Sequence, residues 1–323
     1  MKAVRIEATG GPEGLQVVDI DEPQPKPDEV RVRHAAIGLN FIETYQRSGL
    51  YPIRLPAVLG GEAAGTVEAV GEAVTTLKVG DRVAYASGGS GAYAEAGTAR
   101  ANRVAKLPDS VSFETAAAAM LKGMTTEFLV RRCAPVKPGM TVLVQAAAGG
   151  VGVILVQWAK ALGATIIGTV GSEEKAALAR RLGCDHVILY RTEDVAAKVR
   201  EITGGAGVPI AYDSVGAATF EGTLASLSRR GMFVSFGNAS GPVPPVEPLR
   251  LSRGGSLFLT RPTMFDYVST DAEFEESTGE LFRVLGDGTV RIEIGQTFPL
   301  SEARRAHETM QSRDTIGASL LIP

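Results

Sequence analysis

The segment AAAGGVG, Ala146 to Gly152, puts small residues where a chain turns sharply, between the apolar run TVLVQ and the helix-spaced run VILVQWAKAL. A strand, a small-residue turn, a helix and a second strand in this order form a phosphate cradle. Its first small residue permits the tight bend, the second lets the backbone approach a pyrophosphate, and the third lets helix pack on strand. Ala147, Gly149 and Gly152 take those three places, with Gly150 and Val151 completing the backbone that faces the ligand. Main-chain N–H groups and the positive end of the helix would hold the phosphates. About 20 residues further on, where a dinucleotide site shows its choice of cofactor, the chain reads TVGSEEK. An NAD site places a carboxylate at the strand end, whereas here Gly171 and Ser172 stand there, with Lys175 one turn into the helix. Tyr190 and Arg191, after the third strand, can approach the same adenosine phosphate, so NADPH is the expected cofactor in spite of Glu173 and Glu174. Gly237 and Asn238 follow the fifth strand, on the carboxyl edge of the sheet where such ligands bind.

A second group of residues able to do chemistry lies in NFIETYQRSGLY, where Asn40, Tyr45, Arg47 and Tyr51 are all hydrogen-bond donors. Metal ligation is poorly supplied. The two cysteines, Cys133 and Cys184, form no CxxC pair, and His34, His186 and His307 share no spacing.

The elements that must position these groups fall into two textures. From Met1 to about Pro108 the chain alternates short strands (KAVRIEA, LQVVDID, EVRVRHAAI, GTVEAV, DRVAYA, AYAEAG) with glycine and proline. FETAAAAMLKGMTTEFLVRR then carries apolar residues at helical spacing. From Thr141, six apolar strands (TVLVQ, TIIGTV, HVILY, PIAYDSV, MFVSF, SLFLT) alternate with helices, including TFEGTLASLSR. This predicts an α/β fold with a doubly wound, six-stranded parallel sheet. Gly163 and Gly183 suit the left-handed ends of two of its helices. The helix AEFEESTGELFRVL, the strand RIEIGQTF, a helix opening at Ser301 and the final strand ASLLIP do not extend that sheet. Residues 1–124 and 264–323 are therefore expected to form one β-rich domain, into which 125–263 are inserted with a ligand cleft between the two.

Composition sets further limits. The 323 residues are 45% hydrophobic and 21% charged, with a net charge of -3 and no basic block, which argues against a nucleic-acid or anionic-membrane surface. The N-terminus lacks a signal-peptide core and no run approaches ~18 apolar residues, so the cytoplasm is the expected compartment.

The segments GLNFIETYQRSGLY, LGGEAAGTVEAVG, VGDRVAY, AAAMLKGMT, QAAAGGVG, WAKALGA and YDSVG resemble the medium-chain dehydrogenase/reductase superfamily. With YRTEDV, RRGMFVSFGNASG, TRP and SLLIP, the chain is similar to the zeta-crystallin-like NADPH:quinone oxidoreductases of its zinc-independent branch. The resemblance implies a GroES-like catalytic domain, a Rossmann domain and a homodimer joined at Rossmann sheet edges, here the strand SLFLT. It implies that Asn40, Tyr45 and Tyr51 line a quinone pocket with Arg261 nearby, and that Thr125 contacts the nicotinamide portion. Zinc-dependent members bind their catalytic metal through cysteine, histidine and cysteine, and the matching positions are Asn40, Gly61 and Lys122. None supplies a thiolate or imidazole. Glu62 matches the glutamate after the missing histidine, with a structural hydrogen-bonding role.

Without a metal to acidify an alcohol, reduction of a quinone to a stabilised oxyanion suits the donors better than alcohol oxidation. Reduction of an enal or enone double bond by the same cofactor is the alternative enzyme reading. A cofactor-stabilised structural or RNA-binding protein of the crystallin kind is a third, disfavoured by the charge distribution.

Overall fold

In the computed structural model, which describes residues 1–86, 91–312 and 315–323, the chain divides into two compact units. One comprises Met1–Met124, Val268–Asp287 and Ile292–Pro323, and the other Thr125–Tyr267 and Gly288–Arg291.

Six strands build the second unit's sheet. In spatial order they are His186–Leu189, Thr165–Val170, Thr141–Val144, Val208–Asp213, Leu227–Ser235 and Phe258–Thr260, and every pairing is parallel. Helices Gly150–Ala161, Glu173–Leu182, Val195–Ile202 and Phe220–Ser226 connect them. Strands covered on both faces need side chains that are apolar throughout, which is why they read as unbroken hydrophobic runs. Leu143, Ile167, Ile188, Ala211 and Phe233 from five strands meet in one buried cluster. The order reverses between Thr141–Val144 and Val208–Asp213, and a doubly wound sheet opens a ligand crevice at the carboxyl ends of the strands at that point. The expected six-stranded Rossmann sheet is therefore present. Gly163 and Gly183 take positive φ at their helix ends, as expected.

The first unit holds a three-stranded sheet and a seven-stranded sheet. Glu29–Leu39 is central to the larger one. It pairs antiparallel with Glu62–Val70, with Ala96–Arg100 and with the C-terminal strand Ala318–Ile322, placing Leu320 opposite Gly38. Ile294–Pro299 pairs parallel with that last strand.

Several elements differ from the sequence reading. The strand expected at AYAEAG begins only at Ala96, because its register is set by antiparallel pairing with Glu29–Arg33, while Ala94 makes an isolated bridge to Ala3. The helix expected over TFEGTLASLSR ends at Ser226, since Leu227 already pairs with Val208 in the sheet. Helix Phe41–Ser48 was not foreseen in NFIETYQRS. Met264–Tyr267 were expected in the β-rich domain but pack with the second unit, where Tyr267 stacks on Phe128 at 4.5 Å and its carbonyl accepts from Arg132 Nη1 at 2.6 Å. Gly288–Arg291 join the same unit, with Gln157 bonded to both main-chain groups of Arg291.

Candidate functional site

Gly149 caps the helix Gly150–Ala161 in an extended conformation, and Ala146 just before it takes a left-handed φ of 54°. That is an unusual angle for a residue with a Cβ and marks the tightest point of the turn. Ala147 N donates to Thr169 O at 3.0 Å, and Gly149 N to Ala146 O at 2.9 Å. A Cβ on Gly152 would stand 2.2 Å from Ala146 O and 2.8 Å from Ala147 C, so helix and turn are in direct backbone contact. The first turn of the helix, Gly150 to Gly152, directs its N–H groups outward from the N-terminus.

A buried polar chain fixes this turn from below, and sequence reasoning missed it. Ala146 N donates to Thr169 Oγ1 at 3.3 Å, and that hydroxyl donates to Gln145 Oε1 at 2.5 Å. Gln145 Nε2 donates to Thr223 Oγ1 at 2.9 Å, which in turn donates to Asp213 Oδ2 at 2.8 Å. Asp213 is fully buried and also accepts from Val215 N, Gly216 N and Thr219 Oγ1. Each hydroxyl accepts one bond and donates another, so the chain runs in one direction and leaves no proton misplaced. Its members lie on two strands, the turn that follows a third, and a helix. The only local signal was polar residues in otherwise apolar strands.

At the end of the second strand, Ser172 caps helix Glu173–Leu182, its Oγ accepting from Lys175 N at 3.4 Å. Glu173 and Glu174 are exposed, and Glu173 pairs with Arg180 at 3.7 Å along the helix. A Cβ on Gly171 would lie 2.6 Å from Tyr190 Oη and 3.3 Å from Arg191 Nε. The structure thus gathers Gly171, Tyr190 and Arg191, with Ser172 adjacent and Lys175 half-buried in the first turn of the helix. Gly237 packs on the next strand end, where a Cβ would sit 2.3 Å from Ser214 O, and Asn238 O accepts from Gly241 N at 2.9 Å. Thr125 lies half-buried within helix Phe113–Phe128, while Arg261 is exposed with Nη1 3.3 Å from Pro262 O. A cradle that excludes side chains at Gly152 and Gly171, a helix N-terminus and a cationic, hydroxyl-bearing rim fit a phosphorylated dinucleotide.

In the first unit, Asn40 is the N-cap of helix Phe41–Ser48. The helix carries Tyr45, whose ring meets that of Tyr51 edge-on at 5.2 Å, and Tyr51 N donates to Tyr45 O at 3.0 Å. Asn40, Tyr45 and Tyr51 thus belong to one local structure. Arg47 departs from it. Proposed from sequence as a fourth donor, it is buried, with Nη1 on His307 Nδ1 at 3.3 Å and Nη2 on Gln311 Oε1 at 2.9 Å. A guanidinium has no lone pair to offer, so His307 Nδ1 accepts and its Nε2–H donates to Tyr93 Oη at 3.0 Å. Burial, with Arg47 adjacent, pushes His307 down to about 3, and burial pushes His34 down to about 4.

Beneath Asn40 lie two fully buried carboxylates, Glu43 and Glu62. Glu43 accepts from Asn40 N at 2.7 Å and Gly61 N at 3.3 Å. Glu62 accepts from Leu121 N at 2.6 Å, Asn40 Nδ2 at 2.9 Å and Lys122 Nζ at 3.2 Å. Burial raises Glu43 to about 8, against the pull of Lys122. This donor set does not fit zinc: Gly61 has no side chain, and Lys122 and Asn40 turn their nitrogens to a carboxylate. Among the described residues no group of three or more histidine, cysteine, aspartate or glutamate side chains is arranged to hold a metal, and no helix is long and apolar enough to cross a membrane.

Comparison with known proteins matches residues 26–109 to the alcohol dehydrogenase GroES-like domain and residues 150–282 to the zinc-binding dehydrogenase family. A GroES-like domain joined to a dinucleotide-binding sheet defines a medium-chain dehydrogenase/reductase. The chain is 51% identical over 323 residues to a quinone oxidoreductase of Pseudomonas aeruginosa, covering 100% of this chain and 99% of that one. Its structure matches an Escherichia coli quinone oxidoreductase complexed with NADPH at a TM-score of 0.98 and 48% identity, covering 100% of both chains. A 2-haloacrylate reductase of Burkholderia is 44% identical over 328 residues, covering 99% of this chain and 98% of the other. The chain belongs to the quinone oxidoreductase family.

Proposed function

We propose that this protein is an NADPH:quinone oxidoreductase that works without a metal ion. The full-length identity of 51% to a quinone oxidoreductase carries the reading. The cofactor half of it is supported by Gly171, Ser172, Lys175, Tyr190 and Arg191 at the strand end, and by the neighbour crystallised with NADPH. When bound, the nicotinamide supplies the hydride. Ala147 through Gly152 hold the pyrophosphate, Gly237 and Asn238 border the ligand at the strand ends, and Thr125 faces the nicotinamide. Asn40, Tyr45 and Tyr51 receive the quinone, their donors supporting charge on its oxygen until a proton arrives. Steady-state NADPH oxidation with p-benzoquinone tests this, and no turnover at saturating cofactor refutes it.

Reduction of a carbon–carbon double bond is a second reading, kept because a relative of 44% identity is named a 2-haloacrylate reductase. As a homodimer, the protein would join through the edge strand Phe258–Thr260, where Phe258 is 55% exposed. Two unpaired cysteines suit a reducing compartment such as the cytoplasm.

A further inference from the structure

We infer that Lys122 is a positioning residue for the quinone: its ammonium, held on Glu62, fixes which face of the Asn40 carboxamide is presented to substrate. The inference rests on the proposed placement of Asn40 in the quinone pocket. Glu62 Oε2 carries both Asn40 Nδ2 at 2.9 Å and Lys122 Nζ at 3.2 Å, while Oε1 carries Leu121 N at 2.6 Å. An ionised carboxylate only accepts, so Asn40 must give it the NH₂ side, which leaves the second N–H for substrate and turns the carboxamide oxygen to the Glu43 main-chain N–H in the capping box of helix Phe41–Ser48. A neutral acid or amide in that place both donates and accepts, and would let Asn40 turn over. The carboxylate is seated tightly: a Cβ on Gly38 would lie 2.0 Å from Glu62 Oε2 and 2.4 Å from Ala117 O.

Of the two buried acids here, Glu62 is the one hydrogen-bonded to the Lys122 ammonium. Glu43 takes its two main-chain N–H groups, and Lys122 contacts Glu62 with its side chain only 6% exposed. A carboxylate buried without a cation takes up a proton or leaves its site, and either outcome removes the acceptor that holds the Asn40 NH₂ side. Lys122 occupies a position that matches a metal ligand in zinc-dependent relatives, yet it brings a fixed positive charge of its own. That charge acts on substrate through Glu62 and Asn40.

A double-mutant cycle on the full chain tests this, with kcat/KM for p-benzoquinone at saturating NADPH, NADPH affinity by fluorescence and thermal melting as readouts. Asn40→Ala and Lys122→Met should each lower kcat/KM roughly ten- to hundredfold, the scale of one charge-assisted hydrogen bond, with NADPH affinity unchanged. The double variant should fall no further than Asn40→Ala alone. Losses that multiply, or a Lys122→Met enzyme with wild-type kcat/KM, overturn the inference. If Lys122→Met does not fold, Glu62→Gln takes its place in the cycle with the same expected non-additivity and the same refuting result. Wild-type kcat/KM in Asn40→Ala refutes the pocket assignment itself, and so is distinguishable from a failure of Lys122 alone.

Discussion

Tyr190 Oη lies 2.6 Å from where a Cβ on Gly171 would project, so the Tyr190 side chain closes the end of the third strand over the end of the second. In an NAD site that strand end carries a carboxylate for the ribose hydroxyl. Here it offers a main-chain groove, the Ser172 hydroxyl, the Arg191 guanidinium, and Lys175 in the helix that Ser172 caps. The chemistry of that rim is that of a phosphate site.

Lys175→Ala should therefore weaken NADPH by roughly ten- to hundredfold, the scale of a lost charge-assisted hydrogen bond, and leave NADH within about twofold. Equilibrium titration with both nucleotides measures the difference. Equal effects would refute the assignment.

Gly152→Ala tests the cradle. The new methyl would lie 2.2 Å from Ala146 O, which is backbone and cannot swing aside. The substitution should cost about 1–3 kcal/mol of stability and lower NADPH affinity together. Gly171→Ala is the contrasting case, because its obstacle is the tip of a Tyr190 side chain that is 37% exposed. Its melting temperature should stay near wild type while NADPH affinity falls.

Gln145→Leu interrupts the chain from Thr169 to Asp213 at its middle, leaving the Thr169 hydroxyl without its acceptor and the Thr223 oxygen without its donor. A loss of about 1–3 kcal/mol is expected by chemical denaturation, with weaker NADPH binding because the turn loses the support at Ala146.

The legibility of this molecule in its sequence follows sequence distance. The parallel strands and AAAGGVG could be read because burial on both faces and a tight turn each impose a contiguous pattern. Ser172 and Lys175 stand three residues apart, and the structure joins them through the helix cap. Glu62, by contrast, meets Asn40 across 22 residues and Lys122 across 60, and Arg47 meets His307 across 260. No local pattern marks such pairs, so Arg47 read as a substrate donor and Lys122 only as a missing metal ligand. Helix Phe41–Ser48 escaped notice because two of its buried residues are Glu43 and Arg47, charged types that pattern reading assigns to solvent.

Three buried groups set a pH dependence of stability. His307 and His34 titrate at about 3 and about 4 in the fold, below 6.5 when unfolded, so the unfolded chain binds more protons between those values. Their contribution is complete above pH 6.5 and is lost as pH falls. Glu43 is raised to about 8 from 4.5, so its contribution is complete below pH 4.5 and is lost as pH rises toward 8. Each active group contributes a slope of about 1.4 kcal/mol per pH unit, so these three together favour a maximum near pH 6.5. Denaturation from pH 5 to pH 8 measures the slopes, and Glu43→Gln should flatten the alkaline branch. An unchanged branch in that variant would contradict the protonated state of Glu43.

The most direct test of the central claim is a side-by-side measurement of kcat/KM for p-benzoquinone and for a simple enone, each with NADPH and with NADH. The quinone should turn over faster than the enone, with NADPH strongly preferred. Turnover of the enone alone, or equal use of the two nucleotides, would contradict it.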